Sequence, residues 1–127
     1  MRVLKLVRQP EGSNLCGQAV VATLLGLTLD DGIRGFGTRG ATRTRQIAAV
    51  LRGRGIECPD RLERFRGRLP ARGILKVKFW RSWMGHWVLW FDGRLYDPAT
   101  GTSEGLKLPR VARVTSFLPI RFPIDIS

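Results

Sequence analysis

Residues 74–97 read Ile-Leu-Lys-Val-Lys-Phe-Trp-Arg-Ser-Trp-Met-Gly-His-Trp-Val-Leu-Trp-Phe-Asp-Gly-Arg-Leu-Tyr-Asp. From Ile74 the pattern has period two. Ile74, Lys76 and Lys78 alternate with Leu75, Val77 and Phe79, as side chains do along a β-strand. A second apolar run, His86 to Phe91, ends at Asp92-Gly93, the pair favoured in a two-residue type I′ turn. Arg94 to Asp97 return, and Pro98 ends that strand. The turn fixes a register. With Asp92 and Gly93 at the tip, Phe91 lies opposite Arg94 and Val88 opposite Asp97. His86, Val88 and Trp90 then share one face, and Trp87, Leu89 and Phe91 the other. His86 and Asp97 become diagonal neighbours with Cα atoms roughly 7–8 Å apart, within reach of a carboxylate–imidazole hydrogen bond. Asp92 is the rival acid, but the turn already explains it.

Upstream, the periodicity changes. Residues 15–25 (Leu-Cys-Gly-Gln-Ala-Val-Val-Ala-Thr-Leu-Leu) are apolar on nearly every side and predict a buried central helix. Asn14 is the expected N-cap and Gly26 the stop. Thr28 and Asp31 resemble a capping box for a short helix ending near Gly35. The glycine-rich segment 35–42 lacks a P-loop lysine and suits a rim loop. Thr42 or Thr44 then caps a helix with Ile47, Val50 and Leu51 on one stripe, stopped by Gly53 and Gly55. Residues 2–7 predict a short entry strand, 56–58 a brief one, 59–73 a charged linker and 111–120 the last strand. Helices followed by a β-meander make an α+β protein. At 127 residues it is expected to form one domain, 1–127.

The sequence has a single histidine and two cysteines. Cys16 falls in the first turn of the predicted helix, where backbone dipoles favour the thiolate. A protonated His86 nearby favours it further. Gly17 permits close approach of a substrate, and the Cys16 N–H, unpaired within the helix, can face a developing oxyanion. A cysteine at an apolar helix start is otherwise a buried small hydrophobe. Cys58, followed by Pro59, keeps that structural reading. Two cysteines and one histidine, widely spaced, lack zinc-site pairing, so neither metal nor cofactor is expected. Trp83 and Met84 are candidates to wall a cleft before His86, and Trp80 and Trp83 are left open between cleft and core. Trp87 and Phe91 are assigned to the core.

These residues resemble a family. Gln9, the segment Asn14-Leu15-Cys16-Gly17-Gln18-Ala19, His86-Trp87-Val88 and Tyr96-Asp97-Pro98-Ala99 are similar to the papain-like cysteine peptidases, closest to the C39-like, bacteriocin-processing or double-glycine type. The resemblance spans residues 9 to about 99. It implies a papain-like fold, with N-terminal helices including a buried nucleophile helix packed on a C-terminal antiparallel sheet. It also implies a Cys-His-Asp triad that cleaves peptide or isopeptide bonds. Cys16 would be the nucleophile, His86 the general base and acid, Asp97 the imidazole orienter and Gln9 the oxyanion donor. The family's glutamine usually precedes its cysteine by six residues, whereas Gln9 precedes Cys16 by seven. Asn14 is therefore a second candidate for the oxyanion site. Leu15 stands where leader-cleaving members often carry an acid.

Charge sets the alternatives. With 22 Lys+Arg and 10 Asp+Glu, the net charge is +12. Such a field attracts acidic partners. The expected partner is a peptide or protein substrate, acidic or glycine-containing. A basic nucleic-acid-binding domain is the second reading, less favoured because zinc-finger and RNA-reading motifs are absent. A catalytically inactive papain-like module that binds protein is the third. Residues 1–8 are too short and charged for a signal-peptide core, and no apolar run reaches the ~20 residues of a spanning helix. A cytoplasmic location without a membrane span is expected.

Overall fold

Helix α1 (Cys16–Leu25) is built from small and apolar residues, and Gly17 to Leu24 are all buried. Gly26, at φ 70°, closes it in the left-handed conformation that glycine adopts at no steric cost. In the computed structural model, which describes residues 3–79 and 85–123, two shorter helices follow: α2 (Leu29–Phe36) and α3 (Thr44–Gly53). The Thr28 hydroxyl accepts from the Asp31 N–H and caps α2, as its sequence predicts. The other two caps differ from expectation. Leu15, not Asn14, is the N-cap of α1, without a side-chain cap. Arg43, rather than Thr42 or Thr44, precedes α3, and its N–H is taken by the Gln46 side chain at 2.7 Å. Polar residues propose caps, but the path of the loop decides which of them reaches the helix start.

The rest forms a six-stranded antiparallel sheet in the order β1-β6-β2-β3-β4-β5. The strands are β1 (Glu63–Arg64), β2 (Arg72–Phe79), β3 (Gly85–Phe91), β4 (Arg94–Asp97), β5 (Gly101–Glu104) and β6 (Ala112–Pro119). The α+β class is thus realised. The segment read as a charged linker contributes β1, which pairs with β6. Residues 3–7 form no strand. Their amides go instead to side chains, Leu4 N to the Tyr96 hydroxyl at 3.0 Å and Val7 N to Thr23 Oγ1 at 2.9 Å.

The sheet buries both faces. Ile74, Trp87, Leu89, Phe91, Tyr96 and Leu118 pack with Val20, Val21, Leu24, Ile47 and Leu51 of the helices. Leu75, Val77, Val88, Leu95, Val114 and Phe117 form a second cluster, with Phe65, Leu69, Trp90 and Leu108 packed against it. Fully burying an aliphatic or aromatic side chain contributes roughly 1.5–3 kcal/mol. Two such layers therefore hold β2 and β3 from either side. Asp92 (φ 51°) and Gly93 (φ 82°) make the predicted turn, and the rungs Phe91–Arg94, Trp90–Leu95 and Leu89–Tyr96 follow the predicted register. The ladder stops there, so Val88 and Asp97 do not form a rung. Asp92 is held at the tip by Arg72, at 3.0 and 3.2 Å.

Candidate active site

The end of the β3–β4 ladder creates the site. Beyond the Leu89–Tyr96 rung, β3 has no β4 partner, and the Trp87 backbone N–H is given to the Cys16 sulfur. The N-terminal segment enters the same gap, with Gln9 N–H donating to Pro98 O at 3.0 Å. The start of α1 is thereby held at the frayed end of the hairpin. This resolves a mismatch in the expected geometry. Helix α1 packs on the Trp87 face, whereas alternation assigns His86 to the opposite face. Cys16 and His86 nevertheless meet near the start of β3.

Three side chains line up there. His86 Nε2 lies 2.8 Å from Asp97 Oδ1, and the imidazole also hydrogen-bonds the Cys16 sulfur. Since Nε2 is committed to Asp97, Nδ1 is the nitrogen left for sulfur. Asp97 is 5% exposed and also accepts from the Ala99 N–H at 2.9 Å. Burial pushes its carboxyl up, but the His86 bond, the Ala99 amide and the Thr100 hydroxyl outweigh burial and hold it below the usual range. Burial also disfavours the imidazolium. The Asp97 and Cys16 hydrogen bonds and their charges override it, and His86 is raised from 6.5 to about 9. Burial raises the Cys16 thiol, whereas His86 and the backbone amides of Trp87 and Gly17 lower it further than burial raises it. Both shifts favour a thiolate–imidazolium pair with a carboxylate behind it.

Cys58 behaves differently. It is half-buried against the helical core, and burial raises its thiol despite nearby Arg52. Among the described residues no group of three or more His, Cys, Asp or Glu side chains is arranged to hold a metal ion.

A cleft of about 430 Å³ opens over the sulfur, lined among others by Gln9, Asn14, Cys16, Thr42, Lys76 and His86. Gln9 Nε2 donates to Ser13 O at 3.0 Å and, over a longer distance, to Ser13 Oγ at 3.5 Å. Its Oε1 is buried without a partner. Asn14, exposed, lines the same cleft. Ala41 and Thr42, from the glycine-rich segment, form part of the rim. Trp90 shares the alternation of His86 but packs in the second core, whereas Trp87, assigned to the core, is buried and also reaches the cleft. The proposed cleft walls Trp83 and Met84, and Trp80, lie outside the described residues.

Sequence reasoning missed two contributors, Gln18 and Lys76, and gave Gly17 a different role. Gln18, fully buried, donates through Nε2 to Thr38 O at 2.9 Å and Gly40 O at 2.8 Å, pinning the rim to α1. An amide in an otherwise apolar helix was the available signal. Gly17 serves the fold before any substrate: a Cβ there would collide with Thr42 Oγ1. Lys76 projects into the cleft from β2, a position that only the tertiary structure discloses. No helix among the described residues is long and apolar enough to cross a membrane. No protein-family model and no curated protein matches the sequence.

Proposed function

We propose that the protein is a papain-like cysteine hydrolase, of the C39-like type, that cleaves a peptide or isopeptide bond. One observation carries the reading: His86 is hydrogen-bonded to Asp97 at 2.8 Å and coupled to the Cys16 thiol, and Cys16 and His86 line one cleft. The Cys16 thiolate attacks the carbonyl carbon and forms a C–S bond. The oxyanion that develops is met by the Cys16 N–H and by Gln9 Nε2, which gives up its long contact with Ser13 Oγ to do so, each such donor contributing about 3 kcal/mol to the transition state. Asn14 is the second candidate for the side-chain donor. Collapse breaks the C–N bond, and the proton on His86 leaves with the amine. Neutral His86 then takes a proton from water as it attacks the thioester. The acid is released and the ion pair restored. Asp97 keeps the ring oriented and stabilises its cationic form.

The test is a peptide library incubated with the wild-type protein and with Cys16→Ala, read by mass spectrometry. The expected result is cleavage by the wild type alone, with a thioester adduct on Cys16 trapped at short times. Absence of cleavage, together with alkylation of Cys16 no faster than that of Cys58, would overturn the proposal.

A further inference from the structure

We propose that Lys76 makes the cleft selective for substrates with a carboxylate next to the scissile bond, supplied by an Asp or Glu side chain or by a free C-terminus. The inference rests on the hydrolase reading above and adds its substrate class.

Lys76 lies on β2 directly opposite Trp87, the residue after His86. Its Nζ stands 5.6 Å from the centroid of the Trp87 ring. Its stem runs along Gly85, the residue before His86, so closely that a Cβ at Gly85 would meet Lys76 Cε at 2.7 Å. Lys76 thereby lines the same cleft as Cys16 and His86. The backbone is shaped for this. Opposite the step from Lys76 to Val77, β6 carries one extra residue, Thr115, whose hydroxyl donates to Lys76 O at 3.3 Å. Bulges of this kind re-aim side chains and gather at functional sites.

Lys76 is half-buried, and among the described residues its charge meets the Trp87 ring but no carboxylate. No Asp or Glu among the described residues lines the cleft. Asp97 is committed to His86 and Ala99, and Asp92 to Arg72. A lysine is a compact, flexible point charge, suited to a carboxylate presented at slightly different angles. Desolvation by the cleft walls strengthens such a pair over one at the open surface.

The experiment uses short peptides with a thiol-reactive vinyl sulfone in place of the scissile bond. One set carries Glu, Gln or Lys at each flanking position, and another ends in a free carboxylate or an amide. Addition of the sulfur to the vinyl carbon is followed by mass spectrometry. Wild-type Cys16 is expected to react about tenfold faster with a carboxylate peptide than with its neutral match, as one charge-assisted hydrogen bond predicts. The arm that shows the ratio identifies an acidic residue or a peptide terminus as its source. Lys76→Met brings the ratio to about one, and Lys76→Glu reverses it in favour of the Lys peptide. Ratios within each protein cancel differences in overall reactivity or folding. A ratio near one in the wild type, or an acid preference that survives in Lys76→Met, overturns the assignment. Neutral iodoacetamide separates the two ideas. If it singles out Cys16 over Cys58 while the acid ratio stays near one, only the role of Lys76 fails. If neither reagent distinguishes Cys16, the hydrolase reading falls with it.

Discussion

At the scale of single residues, the decisive contrast is between two thiols in one protein. Cys16 is lowered below the ordinary 9.0 and Cys58 raised above it. Alkylation at pH 7 should therefore modify Cys16 at least about tenfold faster, as the thiolate is the reactive form. Peptide mapping after a short pulse measures it. Replacing Asp97 by Asn keeps the shape but removes the charge behind His86. Turnover should fall by about 10²–10⁴-fold, and the basic limb of the pH–rate profile, near 9 in the wild type, should move to lower pH. The stability consequences have opposite signs. His86, raised in the folded state, contributes stability fully below 6.5 and loses it as pH rises through about 9. Cys16, lowered, contributes above 9.0 and loses that as pH falls through its folded value. The two partly cancel between. Cys16→Ala removes the second contribution together with the Cys16 share of the rise at His86, so its urea midpoint should begin to fall at a lower pH than that of the wild type.

At the scale of elements, the contact between α1 and the rim is the most sensitive joint. Gly17→Ala pushes a methyl group into the Thr42 hydroxyl and should destabilise the fold by about 1–3 kcal/mol. Thermal unfolding in a double-mutant cycle with Thr42→Ala should recover part of that loss. The hairpin was legible because Asp92-Gly93 fixes the count, and the count brings His86 to Asp97. Helix α1 was legible from its apolar continuity. The N-terminal strand was misread because residues such as Val3, Leu4, Leu6 and Val7 show the same periodicity whether their amides meet a neighbouring strand or the hydroxyls of Tyr96 and Thr23. Strand β5, Gly101–Glu104, has no apolar alternation to reveal it; pairing with β4 makes it a strand. The polar wall of the cleft was illegible for a related reason. Lys76 on a strand reads as one more solvated residue until its cross-strand partner and the bulge beside it are known.

At the scale of the whole molecule, the arginine-rich surface gives a net charge of +12. A field of this sign draws acidic peptides toward the protein, and its reach shrinks from about 30 Å at 0.01 M salt to about 8 Å at physiological ionic strength. Association of an acidic peptide should slow by about tenfold across that range, while dissociation changes little. Stopped-flow mixing resolves the two rates, and equal slowing of a basic peptide would count against steering. The amide of Trp87 ties this picture to the sheet. The proton affinity of the sulfur is set in part by a backbone group that would otherwise complete a ladder rung. Loosening of the first residues of β3 would withdraw that amide and let the thiol regain its proton while the hydrophobic layers remain packed. Reactivity at Cys16 is in that sense a gauge of local order, and heat or denaturant should slow alkylation of this thiol before the domain comes apart.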